Sequence, residues 1–436
     1  MSTYDGEDRH VAKPGKDQQV IIVGGGFAGV ATAKGLAKSG IDVLLIDRNN
    51  YHQFQPLLYQ VATSQIGVSD VARPLRGIFR GSRHVRVLTE EVTAIDPATR
   101  TVTVSGGTEY RGRMLVLAAG AEANFFGTPG AAELAYPLYS LEDAIRLGAR
   151  LLAGLDATDP DPGAVTEGGG GGVVVVGSGP TGVEMAGAIA ESLSAVVPEY
   201  FPAEVGRAWQ VHLVDMVPTV LAPFSEASQQ YARRRLDEIG VHLHLGAGVD
   251  EVRKDCVVLS DGTTLPAQIV VWAGGLKARR FAGAEDLPTG RGGRVDVAAD
   301  LSVPGFPGVY ALGDAANIPD GQGGALPQLG SVALQSGRWA AGNIAADLRG
   351  EARADFRYRD KGVMAMIGRG AAVAELGPKR RRIHGPVAFL GWLGVHAALL
   401  PGAWQRAGAV ISWGVSYLTR RRPQIVIGVG TGRIEE

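Results

Sequence analysis

At 436 residues the chain is long for one domain, so two or three compact units with separate cores are expected. A formal net charge of −1 beside 45% hydrophobic residues excludes a disordered or fibrous chain and leaves no global electrostatic reason to expect nucleic acid. The single cysteine, Cys256, excludes an intrachain disulfide, a cysteine metal site and any electron relay through paired thiols.

Residues 1–16 are polar and charged without an apolar core, which reads as neither a secretory signal nor a membrane anchor and sets the expectation of a cytosolic start. Residues 19–23 then form a predicted strand, followed by the loop Gly24-Gly25-Gly26-Phe27-Ala28-Gly29, a helix over 30–38 and a second strand over 41–46 that ends in Asp47. Glycine at 24, 26 and 29 lets the backbone turn sharply, approach a pyrophosphate and pack helix against strand. The phosphates would lie at the helix N-terminus, where free N–H groups and the helix dipole favour negative charge. Asp47 falls near the roughly 20-residue spacing expected of an acid that binds ribose hydroxyls. Residues 85–120 read as short strands closing with 114–118 and the small turn Ala119-Gly120.

After a predicted helix over 141–152, residues 156–172 lack apolar periodicity and read as a mobile surface loop rich in glycine. The first pattern then repeats. A strand over 173–176 leads to Gly177-Ser178-Gly179-Pro180-Thr181-Gly182, a helix over 183–195 and a strand over 210–214 ending in Asp215. An insertion over 198–208 lengthens the spacing to Asp215, whose charge would accept from a free 2′-hydroxyl and repel a 2′-phosphate, favouring NADH over NADPH. Glu184 is placed on the first turn of the second helix, facing the nicotinamide. The strand over 269–272 runs into Ala273-Gly274-Gly275 and echoes residues 115–120, which points to two related nucleotide domains.

Near residue 305 the chain is expected to return to the first domain through Gly308-Val309-Tyr310-Ala311-Leu312-Gly313-Asp314, ahead of a helix over 329–348. From that position Asp314 could accept hydrogen bonds from a polyol such as a flavin's ribityl chain, and the following helix N-terminus could stabilise a reduced, anionic flavin ring. Two apolar runs, 387–400 and 409–418, are each shorter than the about 20 residues a membrane span needs. With their tryptophans and the flanking runs 379–382 and 420–422, rich in arginine, they read as amphipathic helices lying in a membrane interface; a buried helical hairpin or a dimer contact is the alternative.

The stretches Asp47-Arg48-Asn49-Asn50-Tyr51-His52-Gln53-Phe54-Gln55-Pro56-Leu57-Leu58-Tyr59-Gln60-Val61-Ala62, Val176-Gly177-Ser178-Gly179-Pro180-Thr181-Gly182-Val183-Glu184, Ala311-Leu312-Gly313-Asp314-Ala315-Ala316, Ala333-Leu334-Gln335-Ser336-Gly337 and Gly362-Val363-Met364-Ala365-Met366-Ile367-Gly368 resemble the type II NADH dehydrogenases. These are single-subunit NADH:quinone oxidoreductases of the two-dinucleotide flavoprotein superfamily. The resemblance implies an α/β fold with two Rossmann-like domains of the glutathione-reductase type. It places an FAD-binding domain at 18–125 and 290–350, an NADH-binding domain at 126–289, and a quinone-access and membrane-anchoring region at 351–436.

By that resemblance FAD takes the first loop with Asp47, Arg48, Ala119, Gly120 and Asp314, and NADH takes the second with Glu184, Asp215 and Gly274. Hydride passes from nicotinamide to flavin and two electrons pass on to a membrane quinone without proton pumping, with Glu184 and Gln335 as the catalytic side chains. The family's Ala-Gln-x-x-x-Gln reads here as Gly330-Ser331-Val332-Ala333-Leu334-Gln335, so Gln335 and Ser331 are the expected quinone contacts. Further expectations are an anionic lipid partner, peripheral attachment to the cytoplasmic face of the cell membrane, and the possibility of a homodimer; no metal or nucleic acid is called for. The alternatives from other classes are a soluble NADH-dependent reductase of a ferredoxin-like acceptor and a flavoprotein redox sensor.

Overall fold

A computed structural model describes residues 18–158, 171–377, 379–419, 421, 422, 424 and 425. Residues 1–16 and most of the glycine-rich stretch 156–172 lie outside the described residues. Two compact units result: Met1–His52, Pro74–Glu122 and Lys277–Tyr358 in the first; Gln53–Arg73, Ala123–Leu276 and Arg359–Glu436 in the second.

In the first unit, Val20, Ile21 and Ile22 are inaccessible to solvent, as a central parallel strand covered on both faces requires. That strand, Gln18–Val23, pairs in parallel with Val43–Asp47 on one side and with Glu109–Leu117 on the other. Val85–Thr89 extends the first side, and Val309–Ala311 extends the second. The long strand Glu109–Leu117 also starts an antiparallel ribbon with Thr101–Val104 and Val92–Asp96. Helices Phe27–Lys38 and Gly330–Arg349 meet through small residues. A Cβ on Gly337 would stand 2.3 Å from the Ala28 carbonyl oxygen, and one on Gly35 would stand 2.5 Å from the Ala341 Cβ. Thr32 Oγ1 bridges the two helices, donating toward the carbonyls of Ala28 and Gly337.

The second unit repeats the arrangement. Its all-parallel sheet runs Ala135–Pro137, Ile269–Trp272, Gly172–Val176, Gln210–Asp215, Val241–Leu245. In both sheets the strand before the glycine loop is central, the strand ending in aspartate lies on one side, and the strand leading to a small-residue turn lies on the other. The insertion expected at 198–208 folds as short helical turns, Val197–Glu199 and Ala203–Ala208. Two antiparallel three-stranded sheets and the terminal helices Pro386–Leu399 and Ala403–Thr419 complete the unit.

The C-terminal segment departs from the sequence expectation in two respects. Trp392 and Trp413 point inward, at 0% and 4% exposure, and only Trp404 is turned out, at 74%. The large aliphatic residues that face out are Val387, Leu390, Val395 and Leu399 on one helix and Val410, Ile411 and Leu418 on the other, where Arg406 and Thr419 are exposed as well. Arg422, expected in a lipid-facing basic run, is also buried: its Nη1 donates to the Thr63 carbonyl at 2.6 Å and its Nη2 lies 3.7 Å from Glu191. Burial penalises the Arg422 charge and pushes its pKa down, and the Glu191 carboxylate offsets that penalty only in part.

Candidate functional site

The two glycine loops are the same object built twice. Gly24 and Gly177 sit at φ +108° and +101°, backbone that a Cβ disfavours, and a Cβ on either would meet a carbonyl oxygen, Ala118 at 2.2 Å or Ala273 at 2.5 Å. The turns Ala119-Gly120 and Ala273-Gly274 are thereby held against the loops. A Cβ on Gly29 would lie 1.9 Å from the Gly24 carbonyl oxygen, and one on Gly182 would lie 1.7 Å from that of Gly177, so the third glycine of each loop is required by helix–strand packing. The middle glycines differ. Nothing lies within 4 Å of a Cβ on Gly26 or Gly179, and each is the N-cap of its helix. That open space at a helix N-terminus accommodates a pyrophosphate, so both cradles fit a dinucleotide.

The strand-terminal acids are locked to the loops in matching ways. Asp47 accepts from the N–H of Gly25 at 2.6 Å and of Asn49 at 2.7 Å. Asp215 accepts from the Ser178 N–H at 2.6 Å and hydroxyl at 2.8 Å, and from the Val217 N–H at 3.0 Å. Burial pushes the Asp47 carboxyl up, partly offset by those backbone donors. Arg48, next along, is exposed. His52 was not singled out from the sequence: it is buried, its Nδ1 lies 2.9 Å from the Gly25 carbonyl oxygen, and its ring stands edge-on to Phe27.

Asp314 sits in a one-turn 3-10 segment, Gly313–Ala315, rather than at the end of the strand, which stops at Ala311. Gly313 packs this turn against Ala28, beside the first loop. Ser331 and Gln335 lie one turn apart on helix Gly330–Arg349, both half-buried. The Ser331 hydroxyl is 2.9 Å from that of Tyr358, a partner that periodicity and motif spacing gave no means of finding.

Glu184 is the fifth residue of helix Pro180–Glu191, so it belongs to the second turn and not the first. The helix begins earlier than expected because Pro180 fits its opening position. The Glu184 Oε1 accepts from the Met366 N–H at 3.1 Å and from the Trp392 Nε1–H at 3.2 Å. Burial raises its pKa to about 8, against the pull of those two donors. The same pocket of side chains holds Tyr59, whose hydroxyl reaches the Met366 Sδ at 3.2 Å, and Gln60, whose Oε1 accepts from the Trp413 Nε1–H at 2.7 Å.

Two dinucleotide cradles in one chain, each closed by its own aspartate, define the class of two-dinucleotide oxidoreductases. Residues 18–337 match the family model described as pyridine nucleotide-disulphide oxidoreductase. The chain is 37% identical to the type II NADH:quinone oxidoreductase Ndh of Mycobacterium tuberculosis, covering 95% of this chain and 91% of that one. It is 34% identical to NdhA of the same organism, covering 98% and 92%. The solved structure of NDH2 from Plasmodium falciparum in complex with NADH superposes with a TM-score of 0.83 at 18% identity, over 94% of this chain and all of that one. The chain belongs to the pyridine nucleotide-disulphide oxidoreductases and, within them, to the type II NADH:quinone oxidoreductases. With Cys256 as its one cysteine, it carries the fold without the dithiol of the family name.

Proposed function

We propose that the chain oxidises NADH and reduces a quinone through FAD, with the first-unit cradle holding FAD and the second-unit cradle holding NADH. The observation that carries the assignment is the duplicated loop, in which the middle glycine alone opens onto free space and an aspartate braces the N–H groups beside it. When bound, the flavin accepts a hydride from NADH and passes two electrons onward without proton pumping.

The protein's own residues supply binding, orientation and proton placement. Loop N–H groups around Gly26 and Gly179 bind the pyrophosphates, while Asp47 and Asp215 accept from ribose hydroxyls with the lone pairs their loop contacts leave. Fixed negative charge at Asp215 disfavours a 2′-phosphate and selects NADH. Asp314, Ala119, Gly120 and Arg48 complete the FAD contacts, and Gly274 completes those to NADH.

Gln335 offers an amide donor to a quinone carbonyl. Ser331 and Tyr358 share one hydrogen bond between two hydroxyls, which leaves one O–H of the pair to donate outward in place of the family's first glutamine. Glu184 holds a proton on its carboxyl at neutral pH, suited to a reaction that delivers protons with electrons.

Among the described residues no helix is long and apolar enough to cross a membrane. The outward aliphatic residues of the two terminal helices, with exposed Arg381 and Arg382 nearby in sequence, support peripheral attachment to an anionic lipid surface on the side where NADH is supplied, the cytoplasmic face.

Anaerobic absorbance at flavin wavelengths tests the reading. NADH should bleach the purified protein and a short-chain quinone should restore the absorbance. Absence of bound flavin, or bleaching that quinone does not reverse, would overturn it.

A further inference from the structure

Glu184 lies in a setting where few groups can stabilise its charge. Tyr59 faces it from the segment Leu58–Ala62 and Tyr417 lies nearby on the last helix; burial raises the pKa of both phenols, so they stay neutral. His396, stacked on Trp392 with ring centroids 3.7 Å apart, is pushed down to about 4 by burial and is neutral as well. The charged groups Glu191, Arg422 and Arg369 cluster two turns further along, around Glu191. The ionised carboxylate therefore depends on two donors, the Met366 backbone N–H and the Trp392 indole.

The indole is held in place from several sides. Trp392 has no solvent exposure, lies flat against His396, and meets Tyr59 and Trp413 edge-on at 6.3 and 6.2 Å. His396 Nδ1 lies 2.8 Å from the Trp392 carbonyl oxygen, which fixes the stacked ring one turn along the same helix. With the ring caged, its N–H has one direction to point.

We propose that Trp392 is a positioning residue for Glu184: the terminal helix Pro386–Leu399, aliphatic on its outer face, sets through one indole N–H the orientation and charge state of a carboxyl on the nucleotide-loop helix. The inference rests on the reading of Glu184 as a proton-holding group. An N–H donor favours the ionised form, so its loss raises the midpoint further. One lost charge-assisted bond corresponds to roughly a tenfold gain in proton affinity, about one pH unit.

The test is difference infrared spectroscopy of the purified full-length protein across pH, with the Glu184 carboxyl band identified by its absence in Glu184→Gln. Trp392→Phe should raise the midpoint by about one unit, and Trp392→His, which keeps a ring N–H, should bring it part of the way back. Trp413→Phe removes a buried indole donor bound to Gln60 and should leave the midpoint in place. An unchanged midpoint in folded Trp392→Phe would overturn the proposal. Should that variant not fold, the wild type labelled with 5-fluorotryptophan decides: one fluorine resonance must titrate with the carboxyl and cease to do so in Glu184→Gln, and its failure to titrate overturns the proposal equally. Because these readouts need no quinone turnover, a midpoint shift in a protein inactive with quinone would retain the positioning role and reject the enzymatic reading.

Discussion

At the scale of single residues, Glu184 and Asp215 make opposite uses of a carboxyl. Asp215 accepts from three donors that fix it against its glycine loop; Glu184 has two donors inside an enclosed site, and there burial wins. Its pKa of about 8 in the folded protein stands above the ordinary 4.5 of a glutamate, so the contribution of Glu184 to stability is fully present below about pH 4.5 and is lost as pH rises through 8. Glu184→Gln should therefore flatten the decline in Tm between about pH 5 and 8, measured by thermal unfolding in a buffer series. An unaltered slope would mean that the proton is held elsewhere. Asp215→Asn keeps an oxygen for the Ser178 N–H but removes the charge. It should raise KM for NADH tenfold or more, since hydrogen bonds to charged groups contribute about 1.5–3 kcal/mol, and should narrow the preference over NADPH. Steady-state kinetics with both nucleotides would check it. The position of Asp215 was readable from its place after a strand. The surroundings of Glu184 were not, because Met366 and Trp392 approach it from about 180 and 210 positions away.

At the scale of elements, the terminal helix Ala403–Thr419 differs from an ordinary surface helix in turning large apolar side chains outward. Its buried positions include Gln405 and Ser416, while Trp404, Val410, Ile411 and Leu418 face out. Apolar runs of this length announced helices correctly, but hydrophobicity alone could not say which side was inward. The inward side is selected by hydrogen-bond partners: Trp413 finds Gln60, and Ser412 finds Asp70. Ile411→Glu with Leu418→Glu should leave unfolding within about 0.5 kcal/mol of wild type, as surface changes usually do, yet abolish co-sedimentation with lipid vesicles. Trp413→Phe should do the reverse, costing about 1–3 kcal/mol in urea unfolding because buried Gln60 loses its donor, with vesicle binding retained. Equal effects of the two changes on vesicle binding would reject the assignment of faces.

At the scale of the whole molecule, a net charge of −1 conceals local concentrations of charge. The arginines near the C-terminus divide by burial: Arg381 and Arg382 are exposed, whereas Arg422 serves the second unit's interior through Thr63 and Glu191. Arg381→Gln with Arg382→Gln should weaken binding to anionic vesicles roughly 30-fold at fixed salt, at about 1 kcal/mol per charge, and should leave binding to zwitterionic vesicles unchanged. Sedimentation against both compositions distinguishes electrostatic from purely apolar attachment.

The two βαβ cradles followed from the sequence alone. Their requirements are local: a glycine where φ is positive, a glycine where a Cβ would fall within 2 Å of a carbonyl oxygen, and an aspartate at the end of the neighbouring strand. Such constraints act over a few tens of residues and leave a readable spacing. Tertiary structure alone decided that Trp392 and Trp413 turn inward, that Arg422 is buried, that Tyr358 takes the Ser331 hydroxyl, and that burial raises the pKa of Glu184. Each depends on desolvation and on partners brought together by folding from distant parts of the sequence, and neither leaves a periodicity along the chain.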